Sequence, residues 1–523
     1  MVINIMKTLN HIGKLFAREL AQAHAQAAQR AADNEQAEKV HIGAVGSSIT
    51  GAYEKLRNAS ENAEETLLLQ RAIRRFYRRM LITPDLLDNS GEDLIIELTL
   101  AGYLKNDTIT RDTVQEIDKV AADYMTARKE LSKSASGDRL HSWTVDVLAA
   151  HVESLLNNHA HELALANLAY NYFIETVDPV KLFGRKPASF EAMLLAAAYA
   201  TLLKYDDANI RYNLAARYGI SPVQVEAYRE LNQHIDRIFK SKDADRLTHF
   251  VSRHGAEFRV LARLLGEETL PAMLDDHAVF SSTFQTAVQR AYTAIRTGVN
   301  RGVWRSVAFL IITKFIIGVI MEVPYDIAVW GYILWLPLIV NLAFPPVYMV
   351  LLRLTLMMPG HVNSRALGDE IDTVLYTEKL APLVTSRKNA SERHGKDFQV
   401  LYALVIGAVL IGVGYLLMTQ LHFEWTHLTI FYMFVSAASF LSFRLSRSIR
   451  EVEVIDGKQS VVTLLRDFLY MPFVAMGQWI SERYEKLSIV SRALDIVVEL
   501  PLKTILRWLR QWSAFLGDKK DEL

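Results

Sequence analysis

The chain has 523 residues, with 58 Lys and Arg balanced by 58 Asp and Glu and no cysteine. A formal net charge of zero gives no global field to favour nucleic acid or acidic substrates; the missing cysteines exclude disulfides, thiolate zinc sites, iron–sulfur clusters and cysteine nucleophiles. The length allows two or three domains, and the 51% apolar fraction is uneven, with nearly all long apolar runs after residue 300.

The first twenty residues, MVINIMKTLNHIGKLFAREL, lack the continuous apolar core and small-residue cleavage site of a secretory signal. They read as the start of a long amphipathic lead-in helix near residues 4–38. Over residues 1–300, Ala, Leu, Glu and Arg recur with 3.6-residue periodicity between short breaks at TPDLLDNSGED, SKSASGD and FGRKPASF, which predicts an all-α, bundle-like or solenoid-like cytoplasmic domain.

Within it, LLLQRAIRRFYRRML puts Arg71, Arg74, Arg75, Arg78 and Arg79 on one helical face and Leu69, Ile73, Phe76 and Met80 on another. Two readings follow. The guanidiniums grip phosphate, with anionic lipid at the cytoplasmic leaflet as the best ligand, or they pair with acids such as Glu61, Glu64, Glu65, Asp85, Asp88, Glu92 and Asp93 nearby in the chain. Further on, LAARYGISPVQVEAYREL fits the spacing of a helix-turn-helix, with Gly219 at the turn and Ser221 and Pro222 placed to cap the second helix. Its would-be recognition surface carries Gln224, Glu226 and Glu230, which speaks against DNA. His159 and His161 in HAHE sit two apart and diverge on a helix. HExxH, Walker A, GxSxG and Gly-rich dinucleotide motifs are all missing, so no catalytic residue, cofactor or metal is expected.

Four segments after residue 300 qualify or come close as bilayer spans: 307–321, 332–352, 400–418 and 428–443. The flanking cations support them. Arg296, Arg301 and Arg305 precede the first span, and the connection 322–331 has no Lys or Arg. Arg353, Arg365, Lys379, Arg387, Lys388, Arg393 and Lys396 follow the second; TQLHFEWTH is again bare; Arg444, Arg447 and Arg450 follow the fourth. This alternation predicts two hairpins with both termini in the cytoplasm. The domains so drawn are 1–300, a transmembrane domain over 301–450 with a cytoplasmic loop near 354–398, and a tail over 451–523.

Lys314 lies within the first span, with Glu322 and Asp326 as the nearest anions, at the far end of the same hairpin, and Asn341 as a neutral partner. In NLAFPPVYM, Pro345 and Pro346 free backbone carbonyls and predict a kinked or re-entrant second span. These groups form either a polar pathway for an ion or small solute or a lock that ties Lys314 to Asn341 or a freed carbonyl. No second intramembrane acid or base is expected. Gly407, Gly412 and Gly414 in the third span suit close helix packing.

In the tail, FLYMPFVAMGQWI is too short and too interrupted to span, and from 502 to 516 Lys503, Arg507 and Arg510 oppose an apolar face that includes Trp512, with Trp508 among them. That pattern fits a helix lying in the headgroup region or one packed on the cytoplasmic domain. The terminal KDEL and the NAS triplets at Asn58 and Asn389 fall on the side where neither address nor glycosylation would be read.

The elements ITKFIIGVIMEVPYD and NLAFPP, with RAIRRFYRR followed by LIIELTLAGYL, resemble uncharacterised multi-pass membrane proteins of candidate-phyla bacteria over most of residues 45–375. The resemblance implies a bacterial inner-membrane location and no particular chemistry. The partners expected are the lipid bilayer, anionic lipid, and a protein partner or second copy. The function expected is a non-enzymatic anchor or scaffold, with a small-solute or ion transporter as the alternative and a membrane-tethered DNA binder as a third reading.

Overall fold

The computed structural model describes residues 7–43, 50–51, 54, 67–81, 90–133, 137–383, 396–454, 461–487 and 512. These residues are helical throughout, with no strand among them beyond one isolated bridge between Lys39 and Thr110. Of the described residues, one compact unit holds those of Met1–Ser281, Ile371–Val384 and Leu502–Leu523, and the other those of Ser282–Glu370 and Thr385–Pro501.

The first unit contains α1 (His11–Gln36), α2 (Leu68–Met80), α3 (Ser90–Leu100), α4 (Arg111–Ser132), α5 (Gly137–Leu156), α6 (Ala160–Thr176) and the short α7 (Pro179–Phe183). It continues with α8 (Phe190–Leu202), α9 (Asp207–Arg217), α10 (Val225–Phe239), α11 (Lys242–Arg253), α12 (Ala256–Leu261) and α13 (Leu270–Met273). Apolar residues at helical spacing drive the packing. Ile12, Phe16, Leu20 and Ala23 bury one face of α1, which packs on α6; α2 and α4 pack on α5, and α8 on α11. Ile73, Tyr77, Leu94, Ile117 and Leu148 form part of one buried core, and each such side chain contributes about 1.5–3 kcal/mol when fully buried.

Asn10 does two jobs here. Its side-chain oxygen accepts from Gly13 N at 2.8 Å and caps α1, while its amide donates to the Val374 and Thr377 carbonyls at 2.9 Å. A Cβ on Gly13 would lie 2.6 Å from the Leu375 oxygen, so the approach requires glycine. Residues from the expected loop near 354–398 are thus built into this unit. α9 and α10 form the expected helix pair, joined at Gly219 with φ +65°, but α10 starts after Gln224 rather than being capped by Ser221 and Pro222.

The second unit draws on α14 (His277–Ile317), a wide π turn (Gly318–Glu322), α15 (Val323–Trp330), α16 (Trp335–Thr355), α17 (His361–Tyr376), α18 (Lys396–Gln420), α19 (Trp425–Arg450) and α20 (Val461–Leu487). Four helices, His277–Trp330, Trp335–Thr355, Val400–Gln420 and Trp425–Arg450, are long and apolar enough to cross a membrane. Phe315 and Ile320 on the first, and Leu404 and Ile411 on the third, are more than half exposed, which gives these helices the apolar outer surface that lipid requires.

Three expectations are corrected. Residues 322–331 are not an open connection: the helix continues to Trp330 and is closed by Gly331 in the left-handed region. The cause is local. Pro324 has no N–H to donate and its ring clashes with the carbonyl four residues back, and the π turn just before it accommodates this without ending the helix. Nor do Pro345 and Pro346 break α16, which runs through both; the two prolines are buried, where neighbouring helices shield the freed carbonyls. Finally, of the three glycines in α18 only Gly414 packs closely, with a Cβ there meeting the Tyr432 hydroxyl at 3.1 Å, whereas Gly407 and Gly412 face open space.

α20 runs 27 residues through Pro472 and packs on α19. A Cβ on Gly477 would meet the Ser436 carbonyl oxygen, and Phe440 Cβ at 2.7 Å.

Candidate functional site

The second unit holds a polar centre in apolar surroundings. Lys314 is 1% exposed, and Glu322, Asp326, Asn341 and His427 are 0% exposed. The pair Lys314–Glu322 forms a direct ion pair within one helix, eight residues apart. In a uniform α-helix eight residues overshoot two turns by about 80°. The π turn takes more residues per turn and so brings Glu322 back over Lys314. Asp326 follows at the next i+4 position and therefore lies on the same inward face.

The remaining contacts come from two other helices. Asn341 of α16 donates its amide to Glu322 Oε2 at 3.4 Å and to the His427 carbonyl of α19 at 3.2 Å. Asp326 Oδ2 accepts from Leu334 N at 2.9 Å and so pins the turn between α15 and α16. Its Oδ1 stands 3.3 Å from His427 Nε2, close enough to pair but not aligned for a hydrogen bond. Asp326 Oδ1, Asn341 Oδ1, Ser436 Oγ and both ring nitrogens of His427 are buried without a hydrogen-bond partner. The Lys314 ammonium also lies 5.1 Å from the Phe434 ring centroid, a cation–π contact of about 2 kcal/mol when desolvated.

Of the residues singled out from the sequence, Lys314, Glu322, Asp326 and Asn341 thus meet in one place, whereas Pro345 and Pro346 lie farther along α16. Glu322 and Asp326, read from the sequence as lying at the far end of the hairpin, belong to the same continuous helix as Lys314 and are as deeply buried. His427 was missed because it lay in a stretch read as a bare connection; its signal is its place one turn ahead of the buried Phe431 on α19.

In the first unit the arginine stripe of α2 is held by acids. Arg74 donates to Asp206 at 2.7 Å and also pairs with Asp146 at 3.2 Å. Arg78 pairs with Asp146 at 2.8 Å, Arg75 with Glu54 at 2.6 Å, and Arg79 with Glu97. Arg71 is half-buried on the same helix. Asp206 in addition caps α9 through Asn209 N at 3.0 Å, so the stripe ties α2 to α5, α9 and α3. The tail residues Lys503, Arg507, Trp508 and Arg510 lie outside the described residues, as do the NAS triplets and KDEL; Trp512 is exposed.

His159 and His161 diverge. His159 is gripped by Glu153 at 2.9 Å and by Glu162, and His161 Nε2 lies 3.1 Å from His24 Nδ1. Burial disfavours charge on His159, but the hydrogen bonds to Glu153 and Glu162 outweigh it and push its pKa up to about 10. One helix away, burial pushes His151 down to about 4 against the pull of Asp123. Among the described residues no group of three His, Asp or Glu side chains is placed to hold a metal ion.

No protein-family model, curated protein or solved structure matches the chain.

Proposed function

We propose that the chain is a multi-pass protein of a bacterial inner membrane with both termini in the cytoplasm, and that it acts as a non-enzymatic anchor. Its apolar helices hold the first unit at the membrane, where that unit binds a protein partner, a second copy or anionic lipid. The observation that carries this reading is the direct Lys314–Glu322 pair, 1% and 0% exposed: the buried lysine spends its charge on a neighbouring side chain, as a lock does. The alternation of bare and basic connections supports the orientation.

A second reading, a transporter or channel for an ion or small solute built on Lys314, Asn341 and the Pro345, Pro346 segment, is favoured by the unpartnered oxygens of Asp326 and Asn341. The helix-turn-helix spacing of α9 and α10 gives a third, a membrane-tethered DNA binder, which would require salt-dependent affinity.

Reconstituted full-length protein separates these. An anchor gives vesicles no more permeable to protons, alkali cations or small anions than empty ones, and a reporter fused at residue 523 is active only in the cytoplasm. A flux that Lys314→Leu abolishes would replace the anchor with the transporter, and a reporter active outside the cell would overturn the topology.

A further inference from the structure

The arginines of α14, unlike those of α2, have no acid to meet. From His277 to Met321 the chain carries no Asp or Glu. Among the described residues Arg290, Arg301 and Arg305 form no ion pair and no hydrogen bond. At spacings of three and four, Thr286, Arg290, Thr293, Thr297, Arg301 and Arg305 share one helical face, and all six are exposed. Phe284, Ala287, Val288 and Ala291 bury the other face. Along the outer face runs an open groove of about 640 Å³, whose described lining extends from Thr286 to Arg301. Ala294 and Gly298 leave it room, and a Cβ on Gly298 would meet nothing within 4 Å.

Packing within the second unit sets the level of the groove's lower end. A Cβ on Gly302 would lie 2.5 Å from Leu445 Cδ2, so α14 and α19 touch there. Arg353 Nε of α16 donates to Asn300 Oδ1 at 2.9 Å. Three membrane-competent helices thus meet at one level, where Trp304, 67% exposed, stands as interfacial aromatics do. The apolar run begins at Val307, about 3 Å along the helix from Arg305 and about 9 Å from Arg301. A headgroup layer about 5–8 Å deep therefore takes in Arg305 and ends near Arg301.

The groups along this face select a chemistry. Arg305 and Arg301, one turn apart, offer paired N–H donors to a phosphate. Farther from the membrane, the Thr293 hydroxyl donates to the Gln289 carbonyl and that of Thr286 to the Ser282 carbonyl, each at 3.0 Å. Both oxygens are left as acceptors towards the groove. Acceptors beside cations suit a ligand that brings its own hydroxyl hydrogens together with a phosphate. Arg290, with no carboxylate beside it in the described lining, disfavours a headgroup ammonium.

We propose that this face of α14 is a headgroup site for an anionic phospholipid of the phosphatidylglycerol type. Its phosphate lies between Arg301 and Arg305, and its headgroup hydroxyls reach Thr297 and Thr293. The site depends on the proposed topology only for the leaflet that supplies the lipid. Binding to purified protein is independent of orientation, so failure of one leaves the other standing.

The test uses full-length protein in a neutral detergent, with phosphatidylglycerol, phosphatidylserine or phosphatidylcholine added at equal mole fraction and bound lipid counted by native mass spectrometry. Phosphatidylglycerol should be retained most, ahead of phosphatidylserine of the same net charge. Arg301→Gln combined with Arg305→Gln should cut its retention about tenfold. Thr293→Val combined with Thr297→Val keeps shape and charge but removes the oxygens, and should bring phosphatidylglycerol down to the level of phosphatidylserine. Equal retention of the two anionic lipids by the wild type, or no loss in the arginine variant, would overturn the proposal. Displacement of the lipid by free glycerol phosphate at equal concentration would overturn it too, in favour of a soluble anion. These four residues are exposed, so both variants should keep the wild-type melting temperature; if the arginine pair lowers it, the threonine pair decides alone.

Discussion

The arginine stripe of α2 and the centre around Lys314 use the same chemistry at very different cost. On α2 the cations sit at a half-wet surface, with Arg78 57% exposed and its partner Asp146 23% exposed. Water screens such pairs and can replace either partner. Around Lys314 nothing can replace a lost partner. A surface stripe therefore tolerates piecemeal change, whereas the buried centre stands or falls as a set.

The sharpest break of that comparison is Lys314→Leu, which strands Glu322 and should cost about 3–5 kcal/mol, while Lys314→Leu combined with Glu322→Leu should regain most of it. Denaturant unfolding of the two variants checks this, and equal losses would show that the pair is not a unit. Next comes pH in the first unit. His159 is protonated on folding, so its contribution is complete below about pH 6.5 and is lost towards pH 10, at about 1.4 kcal/mol per pH unit. His151 is held neutral, so its contribution is complete above about pH 6.5 and is lost towards pH 4. Stability should peak near pH 6.5, with His159→Gln flattening the alkaline limb and His151→Leu the acid one in melts across pH. The smallest effects belong to the stripe itself. Arg75→Ala, which uncovers Glu54 at 2% exposure, should cost about 1–3 kcal/mol. Arg78→Ala should cost under about 1 kcal/mol in the same assay.

Reading the chain without its structure succeeds where the signal is local. Hydropathy and the all-helical periodicity locate four membrane-competent helices and the helical first unit, because both are written in neighbouring residues. It fails where partners are distant. Asp146 and Asp206, which hold Arg74, lie 72 and 132 positions away, beyond the reach of a local reading, while of the nearer acids Glu61, Glu64, Glu65, Asp85 and Asp88 lie outside the described residues. It also fails where one residue has two meanings. Glu322 and Asp326 look like the hydrophilic edge of a span, and only the π turn, foreshadowed by Pro324, turns them inward. Asn341 was legible as a partner because a lone amide in an apolar run has little else to do; His427 was not, because the stretch before Leu428 was read only for its lack of Lys and Arg.

The π turn at Gly318–Glu322 makes residue count, rather than residue type, the tightest constraint on this helix. Outward-facing side chains such as Val319, 52% exposed, can exchange for other apolar ones at little cost. Inserting one more residue there would instead advance the helical phase by about 100° for everything beyond, swinging both carboxylates away from the lysine they face.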